Sequence, residues 1–439
     1  MQKLYENVME YSKIERHSEL PAESFFKDAK KYAALVCQAD ETHFLVNGSA
    51  PGLLSAIFSA TEQNGEIIAA RNCQKTVYHA IELRQLKAHY VYPDILPEGI
   101  PGEVTTEMVA EMIKAHPEAK TLVFTSPTYE GVVSDVRGIV KLAHANGVTV
   151  IVDESHGGHF LKESGFPKSA VRLGADVVVQ STDKILPALV QTALLHVNKD
   201  YRHKEKVRKY LAMFQTSEPS SVLMASIDAC LHWYMEEGRE ACKKYLSRLK
   251  KLRTVCETKL NHLKLITPKK SFDYDPSKIV ISTEGCSLSG GELRKCLSKK
   301  YEIPVEMVSK DYVLLTIEID DPEEFYGKLL EAFEEIDGTL EMSSLCGGEQ
   351  TEFGKRKVLM RISEAVERKK KAIPLPESMG EVSASYIYVD PPGMPLLVPG
   401  EKISERCVTI LQHYWDSGLK VQGLTKDQEI EVLWEEYFT

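Results

Sequence analysis

The 439-residue sequence contains no apolar run approaching the ~18 residues that a membrane-spanning helix requires. Its first stretch, MQKLYENVMEYSK, carries acids where a secretory signal would carry an apolar segment. An excess of positive charge is also missing. Lys and Arg total 54 against 64 Asp and Glu, a formal net charge of −10. That balance argues against a general nucleic-acid or anionic-membrane binder and leaves room for a local cationic pocket. The nine cysteines are odd in number and scattered, with no CxxC pair. They read as reduced thiols of a cytoplasmic protein, and no spacing supports a metal site. There is no GxGxxG between a strand and a helix, which disfavours a nicotinamide-binding unit. No repeat appears at solenoid periods. What remains is an ordinary globular mixture, 43% hydrophobic and 27% charged. The length is roughly three times the ~150 residues of an average domain, so two or three domains are expected.

The first half alternates short apolar runs with helical stretches. Strands are expected at 43–46, 65–70, 121–125, 148–152 and 175–180. Between them lie helical patterns such as LLSAIFSAT and VRGIVKLAHANG, the latter closing on Gly147 as a helix stop should. Continuously apolar strands separated by helices imply an α/β fold with a mostly parallel sheet covered on both faces. In such sheets ligands sit beyond the carboxyl ends of the strands, where this sequence concentrates its glycines and polar residues. Residues from about 220 to 263 read as helical. A smaller α+β unit follows to about 333. The last hundred residues hold a basic helical stretch, FGKRKVLMRISEAVERKKKA, read as a solvated helix face, and a rigid proline-rich stretch from Asp390 to Glu401, read as a packing segment. The expected division is 1–265 for an N-terminal helix and large domain, 266–340 for a small α+β domain, and 341–439 for a C-terminal α+β domain.

Four segments are candidates for one site. Asn47-Gly48-Ser49-Ala50 lies between a strand and a helix, and a helix start offers unpaired N–H groups suited to phosphate. Asp153 ends a buried strand and is followed by Glu154-Ser155-His156. A buried acid is costly unless paired, and a protonated pyridine nitrogen would be such a partner. One βα unit on, Ser181-Thr182-Asp183-Lys184 offers an amine that could form a Schiff base, flanked by hydroxyls that could hold phosphate. Thr125-Ser126-Pro127-Thr128-Tyr129 ends the preceding strand. Each segment alone has an ordinary structural reading, as a turn, a helix cap or a surface lysine. Their order on consecutive βα units points to pyridoxal 5'-phosphate.

On the segments FLVNGS (44–49), ARNCQKTVYHA (70–80), TSPTYEGVVSD (125–135), VDESHGGHF (152–160), 169–197, FQTSEPSSVLMASIDA (214–229) and PPGMPLLVPGEKI (391–403), the chain resembles the bacterial ornithine/lysine/arginine decarboxylases. That family has the aspartate-aminotransferase-like fold, and the short Gram-positive type is the nearer match. The resemblance implies a pyridoxal-phosphate-dependent lyase acting on a basic amino acid. It implies Lys184 as the Schiff-base lysine, Asp153 as partner of the pyridine nitrogen, Ser49 and Ser181 as phosphate ligands, and His156 over or beside the ring. It implies that Thr216 and Ser217 approach the cofactor from a dimer partner, in a homodimer without nucleic-acid or membrane partners.

Several positions depart from that family's pattern. Gln74 stands where the family has a histidine that stacks on the ring, and Asp183 replaces the histidine before the lysine. Ala50 replaces a hydroxyl residue of the phosphate turn. A histidine- and glycine-containing segment and an acidic segment are missing between Ser12 and Ser24. An anion beside the amine should favour its protonated form. Two other readings therefore stay open at this point. One is a catalytically degenerate paralogue that binds or regulates, in a mixed oligomer with an active homologue. The other is a pyridoxal-phosphate enzyme with a changed reaction. Glu306 is a further candidate, facing either the cleft or solvent.

Overall fold

In the computed structural model the described residues are 26–341, 355–391, 393–416 and 419–434. The N-terminal helix expected around Leu4–Ser12 lies outside them. A seven-stranded sheet organises the first 200 residues: β1 (Glu41–Leu45), β2 (Glu66–Ala70), β3 (Lys87–Val91), β4 (Thr121–Thr125), β5 (Thr149–Asp153), β6 (Val177–Ser181) and β7 (Ala193–Val197). Their spatial order is β1-β7-β6-β5-β4-β2-β3. β2 to β6 pair in parallel with their neighbours, and β7 runs antiparallel to both β1 and β6. The sheet is therefore mostly parallel, as the apolar runs imply. β4, β5, β6 and β7 are almost wholly buried because helices cover both faces.

The helices start and stop where their caps dictate. Asp135 accepts the backbone N–H of Gly138 and so begins the helix Val136–Ala145. Gly147 then turns the chain in a left-handed conformation at φ +68°. The helix Ala50–Ala60 carries Pro51 in its first turn, where a missing N–H costs nothing.

A second, four-stranded sheet is built from β8 (Lys264–Leu265), β9 (Lys278–Ser282), β10 (Met307–Val308) and β11 (Tyr312–Thr316), in the order β10-β11-β9-β8. Its apolar face packs with the helices Arg239–Lys259 and Glu323–Asp337 into one buried cluster. The C-terminal part forms a two-stranded and a three-stranded sheet around Leu375, Ile387, Leu397 and Ile430.

The basic stretch 353–372 corrects the helical expectation. Within its described part only Ile362–Val366 is helical, and Lys370–Pro374 is a strand paired antiparallel with Glu429–Leu433. Alternate side chains of that strand are exposed, a period of two that puts Lys370 and Ala372 on the wet face and Lys371 and Ile373 toward the covered side. No helix among the described residues is long and apolar enough to cross a membrane.

Candidate active site

A cleft of about 210 Å³ opens at the carboxyl ends of β1, β2, β4, β5 and β6. Each strand delivers one to three side chains to it, from its last residue or from the turn that follows. Ser49 comes after β1, Asn72 and Gln74 after β2, Thr125 and Tyr129 from the end of β4, Asp153 and His156 from β5, Ser181 and Lys184 from β6. Six residues proposed from the sequence, Ser49, Gln74, Asp153, His156, Ser181 and Lys184, thus share one cavity. The other five stand apart from its lining. Gly48 is held beside it by its N–H to the carbonyl of Gln191, at 2.9 Å, in a left-handed turn of φ +74°. Ala50 begins the helix behind Ser49. Asp183 turns its carboxylate to the backbone N–H of Gln191, at 3.0 Å. Thr216 and Ser217 are exposed on the surface.

Asp153 is 2% exposed. Ser155 donates to its Oδ1 from both N (3.1 Å) and Oγ (2.5 Å), and Gln74 Nε2 donates to Oδ2 at 2.7 Å. Burial raises its pKa against those hydrogen bonds, so a cation in the cleft is what would hold it ionised. Gln74 therefore does something its spacing did not reveal: in place of an aromatic face, it gives the buried carboxylate a donor. The adjacent Glu154 points the other way. It accepts from Ser169 Oγ, the N–H of Ala170 and Gln180 Nε2, and burial pushes its carboxyl up to about 8. It anchors the turn that carries His156.

The cleft also holds uncommitted groups. The Ser49 side chain makes no capping bond at the start of its helix. Asn72 is buried with Oδ1 unpartnered. Among the described residues Lys184 Nζ makes no hydrogen bond. An amine, a helix start with a spare hydroxyl, an orphaned buried polar atom and a buried carboxylate that lacks a cation are the donor set that pyridoxal phosphate requires.

Two further contributions were not legible in the sequence, those of Lys278 and of the proline-rich stretch, and a third group, Glu306, was left open between cleft and solvent. Lys278, the first residue of β9, is fully buried, with Nζ 3.4 Å from His156 Nδ1 and 3.2 Å from Thr316 Oγ1. Glu306 faces the cleft side: burial would raise it, but the Lys278 ammonium and the Thr316 hydroxyl hold its carboxyl below the usual carboxylate range. Asp390, Pro391 and Met394 close the cleft from the proline-rich stretch, which so contributes to the site as well as to packing. That stretch is tied down by Lys75 Nζ to Asp390 Oδ2 at 2.6 Å, and by the Lys75 N–H to the Gly393 carbonyl at 3.0 Å. The fully buried pair Arg71–Glu401 clamps its base.

Elsewhere, Glu66, His89 and His116 bring donor atoms within 4.8 Å of one another. The two imidazoles are stacked at 3.5 Å with planes 16° apart. His89 Nε2 lies 2.8 Å from Glu66 Oε2, a direct hydrogen bond within the cluster.

Comparison with known proteins identifies the family. The model of the Orn/Lys/Arg decarboxylase major domain matches residues 9–273, and that of the C-terminal domain matches 358–427. The chain is 31% identical to an arginine decarboxylase of Bacillus subtilis, over 90% of this chain and 82% of that one. It is 29% identical to an arginine decarboxylase of Halalkalibacterium halodurans, over 91% and 83%. Its fold matches the lysine decarboxylase LdcF of Francisella novicida with a TM-score of 0.78, at 19% identity, covering 95% of this chain and 72% of that one. The Escherichia coli constitutive lysine decarboxylase follows at 0.76 and 19%, covering 92% and 72%. With both domain models matched in order on a sheet of the same architecture, the chain belongs to the Orn/Lys/Arg decarboxylase family.

Proposed function

We propose that the protein is a pyridoxal-phosphate-dependent decarboxylase of a basic amino acid. The observation that carries this reading is the meeting of Lys184, Asp153 and His156 in one cleft with the spare hydroxyls of Ser49 and Ser181. Lys184 is the amine that would hold the cofactor covalently. Ser49, at the start of the helix Ala50–Ala60, and Ser181 would hold its phosphate, with Gly48 and Ala50 shaping that turn. Bound there, pyridoxal phosphate supplies the electron sink that lets a carboxylate leave as CO₂. Asp153 would keep a proton on the ring nitrogen, and Gln74 and Ser155 fix the orientation of its carboxylate. His156 and Tyr129, with ring centroids 4.3 Å apart, form the wall beside the reacting centre. Glu306 is an ionised acid within reach of a basic substrate's positive charge. Asp183 faces Gln191, so its effect on Lys184 is that of a nearby charge and not of a contact.

The assembly that fits this reading is a cytoplasmic homodimer in which exposed Thr216 and Ser217 reach the partner's cleft. A mixed oligomer with a homologue is the alternative assembly. The working division is 1–265, 266–340 and 341–439. Borohydride treatment of protein mixed with pyridoxal phosphate, followed by peptide mass analysis, tests the site. The expected result is a reduced adduct on Lys184 that Lys184→Ala removes. A folded protein without an adduct on Lys184 would overturn the reading.

A further inference from the structure

Lys278 is a lysine with none of its surface exposed, and the proposed chemistry does not use it. Its stem passes the backbone of the cleft loop at Gly131, where an added Cβ would meet Lys278 Cγ at 2.9 Å and where φ is +102°. Its ammonium ends between two groups, Thr316 Oγ1 at 3.2 Å and His156 Nδ1 at 3.4 Å. A lysine ammonium has donors and no acceptor. A nitrogen that faces it within hydrogen-bond distance must present its lone pair, because an N–H there would set two donors against each other.

We propose that Lys278 is a positioning residue that fixes the tautomer of His156, with Nδ1 as acceptor and the proton on Nε2. The inference rests on the cleft being the reaction site. It adds that His156 meets the substrate with an N–H, suited to donate to a carboxylate oxygen of the amino acid. The same contact keeps His156 neutral, since a second proton would have to sit on Nδ1 against the ammonium. The charged and titratable groups around His156 are Lys278 from β9, Lys184 after β6, Glu306 before β10, Asp275 before β9 and Tyr129 after β4. Burial and the two lysines hold the imidazole well below its ordinary value, against the opposing pull of Glu306 and Asp275.

The test is a long-range ¹H–¹⁵N spectrum of protein labelled at its 13 histidines, without cofactor, with His156 assigned by its loss in His156→Asn. The expected wild-type pattern is a protonated Nε2 and an unprotonated Nδ1, unchanged from pH 8 to about pH 5.5. In Lys278→Met the two tautomers should mix, and the titration midpoint should rise by about one pH unit, a tenfold change in proton affinity. Lys278→Arg, again charged and donor-only, should restore the single tautomer. A wild-type signal with the proton on Nδ1 would overturn the inference, and so would a Lys278→Met spectrum identical to wild type. The wild-type spectrum decides even if the variant does not fold. Failure of the borohydride adduct would strike the cofactor reading and leave this measurement intact.

Discussion

Asp153 has almost no surface of its own, and its ionisation depends on what its neighbours donate. A hydrogen bond to a charged group contributes about 1.5–3 kcal/mol, so the Gln74 bond at 2.7 Å is a sizeable share of what steadies that carboxylate. Gln74→Ala should weaken pyridoxal phosphate binding roughly 10–100-fold by this account, measured by titrating the visible absorbance. An unchanged affinity would show that Ser155 suffices. Gln74→His should restore ring stacking, worth ~0.5–1.5 kcal/mol, while removing the amide donor, so its net effect on affinity should be small. Asp153 and Lys184 were readable in the sequence because each follows a buried apolar strand at a place where polar residues need a reason. Lys278 was not. It heads the apolar run KIVIS and looks like a strand-edge lysine, and its partner His156 is 122 positions away. Asn72 and Met394 were hidden for the same reason, being defined by contacts that the chain order does not show.

At the scale of elements, the turn after β5 carries His156 and is held by Glu154. The folded-state pKa of Glu154 is raised to about 8 from an ordinary 4.5. Between those values the folded protein binds more protons than the unfolded chain, so stability falls as pH rises through that window. Urea midpoints should therefore decline from about pH 5 to pH 8, and Glu154→Gln should flatten the decline; equal slopes in the two proteins would reject the assignment. Five of the seven strands of the central sheet were legible as apolar runs. β3 was missed because KAHYV is a half-exposed edge strand with a lysine and a histidine. β7 was missed because it follows directly on the Lys184 turn, where the polar residues drew attention. The basic stretch around Lys370 was misread as helical because its lysines mask a two-residue alternation that only pairing with Glu429–Leu433 makes plain.

At the scale of the molecule, a buried ion pair anchors the C-terminal part beside the cleft. Arg71 donates to both Glu401 oxygens, at 3.2 and 3.0 Å, and to the carbonyls of Pro395 and Leu396 at 2.6 and 3.2 Å. Removing one partner of such a pair leaves an unpaired buried charge and costs ~3–5 kcal/mol. Glu401→Ala should lower stability by that amount in urea unfolding, and should also weaken the cleft, because Asp390 and Met394 hang from the same stretch. A loss below about 1 kcal/mol would mean that the stretch is held by its apolar contacts instead. The substitutions that set this chain apart from its family's pattern, at 50, 74 and 183, leave the cleft's amine, carboxylate and imidazole in place. The most direct test of the central claim is CO₂ release, with amine product identification, from L-lysine, L-ornithine and L-arginine by pyridoxal-phosphate-loaded protein, with Lys184→Ala as the control. The account predicts turnover of at least one of the three by wild type and none by the variant. A folded, cofactor-loaded wild type that forms no amine from any of them would contradict it.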